Sequence, residues 1–304
     1  MAFTAKDVAA LRAKTGCGMM DCKKALTESN GDMDKAVDVL REKGLAKAAK
    51  KAGRVAAEGV AFACTNNEEN IGVVIEVNAE TDFVAKNAEF QKFVQTCANT
   101  IIEKDPCDVE ALKATVDSES GKTIADLLQE KIVTIGENIQ IRRFKRIEGM
   151  VSTYVHAGGR IGVMVKFEAD EKVKAEPKFK EFAKDIAMQV AAVNPGFLNE
   201  ASVPAEVIEH EKKILTEQVI NEGKPANIAE KIVNGKMAKF YKENCLVDQI
   251  FVKDNDLTVD KYTKKIAKEL NTDIKIVEFV RFEKGEGIEK REDNFAKEVQ
   301  DMIK

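Results

Sequence analysis

The sequence IGVVI at residues 71–75 returns as IGVMV at residues 161–165, 90 positions later. Glu58-Gly59 lies before the first stretch, and Glu148-Gly149 lies before the second at the same separation. Similar stretches at a constant spacing indicate an internal repeat, in which each copy forms one supersecondary unit. A chain of 304 residues is long enough for about two globular units. The repeat therefore predicts two related subdomains.

Each copy combines two kinds of segment. Short runs rich in Val, Ile and Phe are typical of strands, and segments with apolar residues at three- and four-residue steps are typical of helices. In order, each copy reads as strand, strand, helix, helix and strand. The simplest packing is a three-stranded antiparallel sheet with helices on one face. We therefore predict an α+β fold, with core subdomains at residues 55–147 and at residues 148–198 plus 246–288.

An insertion distinguishes the second copy from the first. Phe90 corresponds to Phe179 at a separation of 89. Further along, Thr123 corresponds to Thr258 at a separation of 135, so roughly 45 residues have been inserted. Within residues 199–245, apolar residues recur about every 3.5 positions on both sides of a Gly-Pro turn, which predicts an antiparallel helical hairpin. Such a hairpin either contacts a partner or only packs on itself, and the sequence leaves both open.

The N-terminal residues 1–54 predict a small three-helix bundle. Apolar residues at helical spacing form three short groups, and glycine-containing turns at residues 15–18 and 30–31 separate them. Asp32 is placed to cap the third helix, and we expect Gly44 to end it. We set the end of this module at residue 54.

Charge is distributed unevenly along the chain. Residues 1–54 carry a net charge of +5, and the remainder carries −9, for a total of −4. Much of the positive charge lies in Lys47, Lys50, Lys51 and Arg54. A solvated linker helix is the favoured interpretation of this basic stretch, and contact with RNA is the alternative.

Composition argues against several classes of function. Two histidines, and six cysteines without a CxxC pair, offer little material for a zinc site or for histidine acid–base catalysis. The absence of Trp weakens base stacking on nucleic acid. The Gly-Lys-Thr sequence at residues 121–123 lacks the earlier glycine of a phosphate-binding loop, because Val116 stands there. With no apolar run of about 20 residues and no export segment, we expect a cytosolic protein without membrane association.

A polar stretch after one predicted strand is the strongest candidate for function. The sequence TDFVAKN begins at Thr81, and Thr81 or Asp82 can cap the helix that follows. Phe83 either packs in the core or presents its ring to a partner's pocket. In the second copy the aligned positions hold Lys172 and Val173, so the scaffold does not require an acid followed by an aromatic residue. The repeat therefore favours the partner-binding interpretation.

The same stretch, residues 81–87, resembles a signature of the bacterial translation elongation factor Ts family. Further stretches resemble that family in the same order along the chain: RAKTGCGMMDCKKAL at residues 12–26, IGENI at 135–139, HAGGRIG at 156–162 and RFEKGEGIEK at 281–290. The resemblance runs from about residue 5 to the C-terminus. It departs from the family pattern at Asn87, where an Asp is common, and at Gln189, where a His often stands.

The resemblance implies a guanine-nucleotide exchange factor for elongation factor Tu, the GTPase that carries aminoacyl-tRNA to the ribosome. It implies that residues 1–54 form a ubiquitin-associated-like docking module and that the repeats are the two core subdomains. It further implies that the hairpin at 199–245 is the family's coiled coil and that residues 289–304 form a C-terminal helical module. No enzyme activity, cofactor, metal or direct nucleotide binding is implied.

Particular residues also acquire roles from the resemblance. The stretch from Thr81 to Val84, with Asp82 and Phe83 at its centre, would enter the partner's nucleotide domain near the Mg²⁺ site. The other implied partner contacts are Arg12, Met19, Met20, Ile135, Gly136 and His156. One of the two methionines is expected to pack within the bundle instead.

Two further classes of function compete with this one. A catalytic site could use Asp82 with Glu80 as a carboxylate pair, but adjacent surface acids are usually solvated and no base or metal set accompanies them. An RNA-binding protein could use the basic N-terminal stretch, but the acidic pI of about 5.6 and the scarcity of aromatic residues argue against it. A guanine-nucleotide exchange factor therefore remains the leading prediction.

Overall fold

The computed structural model describes residues 3–223 and 226–289, without the side chains of residues 45–50 and 226–228. The helices are α1 (Ala5–Thr15), α2 (Met19–Glu28), α3 (Met33–Lys51), α4 (Asp82–Ala85), α5 (Ala88–Lys104), α6 (Val109–Ala114), α7 (Ile124–Ile135), α8 (Pro177–Val193), α9 (Ala205–Asn221), α10 (Ala226–Asn244) and α11 (Val259–Leu270). The strands are β1 (Glu58–Thr65), β2 (Ile71–Ala79), β3 (Gln140–Glu148), β4 (Met150–His156), β5 (Ile161–Glu168), β6 (Ile250–Phe251), β7 (Asp254–Thr258) and β8 (Lys275–Glu283). Short 3-10 helices lie at Glu171–Val173, Glu200–Ser202 and Leu246–Asp248.

In the part of the chain that the structure describes, the strands form three small antiparallel sheets. One sheet has the order β1-β2-β3 and another the order β4-β5-β8, so each copy of the repeat builds the predicted three-stranded sheet. Strand β4 pairs with β5 from Met150 opposite Phe167 to His156 opposite Ile161. The two-stranded sheet β6-β7 was not predicted, because β6 has only two residues and is too short to show a period. The α+β prediction is confirmed.

By the proximity of its Cα atoms the chain divides into two compact units. The first comprises Met1–Phe62, Ile75–Phe144 and the chain from Glu283 onward, and the second comprises Ala63–Val74 and Lys145–Phe282. In the second unit, helix α8 packs on β4 and β5 through edge-on contacts between Phe167 and the rings of Phe179 and Phe182. The domain boundaries at residues 54, 147, 198, 245 and 288 stay predictions.

The N-terminal module is built from α1, α2 and α3, as predicted. Its core contains the fully buried side chains of Leu11, Cys22 and Leu26. Asp32 caps α3 as expected, because its carboxylate accepts hydrogen bonds from the amides of residues 34 and 35 at 3.1 Å. These contacts confirm the three-helix bundle.

The prediction that Gly44 ends the third helix is wrong. Helix α3 continues to Lys51, through a run of Ala, Leu and Lys that favours helix. A Cβ atom on Gly44 would lie 2.7 Å from Cγ2 of Val133, on α7. The glycine therefore serves the close approach of α3 to α7 rather than the end of a helix.

The inserted segment forms the predicted hairpin. Helices α9 and α10 pack on each other through a core of their own, which consists of Leu215, Val219, Ala229, Val233 and Met237. The hairpin therefore stabilises itself to a large extent. The predicted C-terminal helical module at residues 289–304 lies outside the described residues, apart from Glu289.

Candidate functional site

Phe83 lies one residue into α4, a single helical turn that follows β2. Thr81 caps this turn, and its hydroxyl oxygen accepts a hydrogen bond from the amide of Val84 at 3.4 Å. Val84 and Ala85 are both buried, whereas the side chain of Phe83 is 80% exposed. The interpretation that placed Phe83 in the core is therefore wrong. Val84, which the resemblance named as a contact, anchors the turn from inside.

The second copy of the repeat makes the exposure of Phe83 informative. Val173 occupies the equivalent position, in the 3-10 helix Glu171–Val173, and it is buried. The repeated scaffold can therefore place this position in its core. An exposed phenylalanine at the same place in the first copy is not demanded by packing, so its ring is available to fill a partner's pocket.

Asp82 places a negative charge beside the exposed ring. Nζ of Lys86 lies 2.7 Å from Oδ2 of Asp82. This hydrogen bond lowers the pKa of Asp82 below its ordinary value, and the positive charges of Lys86 and Lys284 act in the same direction. Asp82 is consequently a carboxylate throughout the neutral range.

A second stretch of the chain holds the base of this turn. The Glu137 carboxylate accepts hydrogen bonds from the amides of Glu80 and Thr81, each at 3.0 Å, and from the Thr81 hydroxyl at 2.7 Å. In return, the Glu80 carboxylate accepts a hydrogen bond from the amide of Asn138 at 2.6 Å. The structure thus brings together two of the motifs that sequence analysis singled out separately.

Ile135 and Gly136 lie at the end of α7, directly before Glu137. Ile135 is half-buried and Gly136 is exposed, with a φ of 91° that ends the helix in the left-handed region. The end of α3 also reaches this point, since Nζ of Lys51 donates a hydrogen bond to the Gly136 carbonyl at 2.5 Å. Arg54 lies 3.4 Å from the Glu80 carboxylate. The Phe83 turn, the end of α7 and the end of α3 therefore form one connected region.

The predicted contact residues of the N-terminal module are on the surface. Met19 and Met20 begin α2 and are 45% and 61% exposed, and Arg12 is exposed in the last turn of α1. The expectation that one methionine packs within the bundle is wrong. Flexible apolar side chains at a helix start suit an adaptable contact surface.

His156 belongs to the second unit and ends β4. It is exposed, and the hydroxyl of Tyr154 lies 3.2 Å from its Nδ1 atom. A tight turn follows, in which residues 157–159 have φ values of 48°, 65° and 96°. The imidazole is available at the surface.

Sequence reasoning missed Glu76, a charged residue in the middle of the apolar strand β2. Its carboxylate is completely buried and lies 2.9 Å from Nη1 of Arg142 and 2.6 Å from Nε of Arg143. It also accepts a hydrogen bond from the amide of Gly285 at 2.8 Å. A glutamate inside an otherwise apolar strand was the signal that could have identified it. Glu137 and Lys284 lie within the stretches at 135–139 and 281–290 that resemble the family, but nothing in the sequence marked these two side chains individually.

The described residues hold neither a membrane span nor a metal site. None of their helices is both long and apolar enough to cross a bilayer. Nor does any group of three or more His, Cys, Asp and Glu side chains among them have the arrangement of a metal site.

Fold and site together define an α+β protein with a partly apolar candidate binding surface. A sequence model of the family described as Elongation factor TS matches residues 80–286. Elongation factor Ts of Clostridium kluyveri is 50% identical over 305 residues and covers 99% of each chain. The proteins of the same name from Clostridioides difficile and Clostridium perfringens are 50% and 51% identical, again over 99% of each chain. The chain belongs to the elongation factor Ts family.

Proposed function

We propose that this chain is a guanine-nucleotide exchange factor for elongation factor Tu in translation elongation. The observation that carries the proposal is the 80% exposure of Phe83 on a capped and clamped turn, within the part of the chain that the family match covers. The partner is elongation factor Tu, with GDP bound or free of nucleotide. The site of action is then the cytoplasm, where elongation takes place.

The mechanism follows from thermodynamic linkage. Phosphate oxygens and Mg²⁺ hold the loops of a GTPase in place. A protein that binds best when those loops are displaced must weaken the binding of nucleotide and Mg²⁺ by the same free energy. We assign this displacement to Phe83 and Asp82, which enter the partner near its Mg²⁺ site. No covalent step on this chain is required, so it acts as a binding protein rather than an enzyme, without nucleotide, cofactor or nucleic acid of its own.

The magnitudes require more than one contact. An acceleration of about 10³- to 10⁵-fold corresponds to roughly 4–7 kcal/mol at the release barrier. Burial of one phenylalanine side chain supplies about 1.5–3 kcal/mol. The remainder must come from other surfaces, for which we propose Arg12, Met19 and Met20 in the docking module, Ile135 and Gly136 beside the turn, and His156. Thr81 and Val84 then act by holding the turn.

The domain organisation follows the same proposal. Residues 1–54 dock on the partner's nucleotide domain, and residues 55–147 present Phe83. Residues 148–198 plus 246–288 carry His156. The hairpin at 199–245 is the family's coiled coil, and residues 289–304 are its C-terminal module.

Release of labelled GDP from elongation factor Tu tests the proposal. Substoichiometric amounts of this chain should accelerate release, because each molecule can act on many partners in turn. The release rate should rise with the concentration of the chain. A release rate that stays unchanged over a wide range of concentrations would refute the exchange function.

A further inference from the structure

The geometry points to Glu137 as the residue that positions the Phe83 turn for exchange, although Glu137 itself need not touch the partner. This inference rests on the proposed function, because it explains how one exposed ring is held ready for a partner. It goes beyond the contact residues that the family resemblance names. Three hydrogen bonds into the turn carry it.

The hydrogen bonds form a continuous chain from Glu137 to the residue after Phe83. Oε2 of Glu137 accepts from the amides of Glu80 and Thr81 at 3.0 Å, and Oε1 accepts from the Thr81 hydroxyl at 2.7 Å. Because the hydroxyl proton points to Glu137, the oxygen of Thr81 is free to accept from the amide of Val84. The carboxylate thereby orients the cap that starts α4.

An external support of this kind is needed because α4 is short. The helix has four residues, and a single turn is not stable by itself, since nucleation fixes several dihedral angles for one hydrogen bond. Hydrogen bonds to a carboxylate are stronger than those between neutral groups. The stretch that contains Glu137 is held in turn, because the amide of the next residue, Asn138, donates a hydrogen bond to the Glu80 carboxylate at 2.6 Å. The two stretches fix each other reciprocally.

Both oxygens of Glu137 are occupied by donors of its own chain, and the side chain is half-buried. Three donors of this chain already use the carboxylate, which leaves little hydrogen-bonding capacity for a partner. This separates Glu137 from Asp82, whose carboxylate is about half exposed beside Phe83. Glu137 is therefore a positioning residue.

The test compares E137A and E137Q with E130A and E130Q. Glu130 lies on the neighbouring helix α7 and pairs at the surface with Lys122 at 2.6 Å, so its substitution makes the same chemical change without touching the turn. Two quantities are measured: hydrogen exchange of the amides of residues 80 and 81 in the free chain, and GDP release from elongation factor Tu. The hydrogen-exchange measurement needs no partner.

For E137A we expect hydrogen exchange at these two amides to be about 10- to 100-fold faster, and GDP release to be slower by a similar factor. Protection of the amides in β2 should stay unchanged, which a general loss of stability would not give. E137Q keeps one carbonyl oxygen for the amides, so its losses should be smaller, about threefold. The two Glu130 variants should match the unmodified chain.

Normal protection of amides 80 and 81 in E137A would overturn the inference, as would GDP release at the rate of E130A. If E137A does not fold, E137Q against E130Q decides in the same way, and equal values overturn it. If the unmodified chain fails to accelerate GDP release from elongation factor Tu, the proposed function is refuted instead. The amide exchange would still decide whether Glu137 holds the turn.

Discussion

At the scale of single residues, the contrast between Phe83 and Val173 is the most informative feature. The two positions are equivalent in the repeat, yet one side chain is exposed and the other is buried. Because Phe83 makes little contact with its own chain, it adds little to folding stability. Its removal should affect binding and leave folding almost unchanged.

We expect Phe83→Ala to slow GDP release by about 10- to 100-fold, since the lost burial against the partner is roughly 1.5–3 kcal/mol. The free energy of unfolding should change by less than about 0.5 kcal/mol, as is usual for exposed positions. Release kinetics and thermal unfolding of the same preparation provide the two values.

Phe90→Ala is the matched control for this prediction. Phe90 is completely buried, so its truncation should cost about 3–5 kcal/mol of folding stability. Parallel loss of stability and activity in both variants would assign Phe83 to the core and contradict the proposed role.

At the scale of elements, the contact between α3 and α7 determines where the end of α3 lies. Gly44 allows the two helices to approach at Val133, and α3 then continues far enough for Lys51 to reach the Gly136 carbonyl. The packing of two helices thus joins the N-terminal bundle to the Phe83 turn.

Gly44→Ala should destabilise the chain by about 1 kcal/mol, although alanine is the better helix former by a similar amount. The reason is that the new methyl group meets the stiff, β-branched side chain of Val133. Denaturant unfolding measures the change.

The control for this prediction is a double-mutant cycle. In a Val133→Ala background the space is open, and Gly44→Ala should then become neutral or stabilising. The same penalty in both backgrounds would show that the contact with Val133 is not its cause.

At the scale of the molecule, Glu76 joins parts of the first unit that are far apart in sequence. Its buried carboxylate contacts two arginines of β3 and the amide of Gly285, 209 positions away. The Arg142 guanidinium also donates a hydrogen bond to the Glu286 carbonyl at 2.6 Å. This network fixes the turn after β8, which carries Lys284.

Glu76→Gln should lower the free energy of unfolding by about 3 kcal/mol, because it removes the buried carboxylate that pairs with the two arginines, and Arg143 is then left with the more exposed carboxylate of Glu286. Thermal or denaturant unfolding measures this loss. Glu89→Gln serves as the control, since Glu89 is mostly exposed and pairs with Lys131 at the surface. The control should lose less than about 1 kcal/mol. Equal effects would mean that the Glu76 network adds no more than a surface ion pair.

Much of the architecture follows from local patterns that can be read along the chain. The repeat, the strand and helix periodicities, the capping residue Asp32 and the hairpin all depend on residues close in sequence, and each was predicted. The position of a candidate site after β2 also came from its motif. These features are accessible because periodicity and capping act over a few residues.

What the tertiary structure alone decided concerns residues that meet across long separations. The repeat favoured an exposed Phe83, but the hold of Glu137 on Thr81 across 56 positions and the role of Gly44 opposite Val133 could not be read from the residues around them. Each depends on which side chain lies on the other side of a contact. Local sequence patterns determined which elements form, and three-dimensional packing determined which of their side chains remain exposed, because burial is a property of neighbours in space.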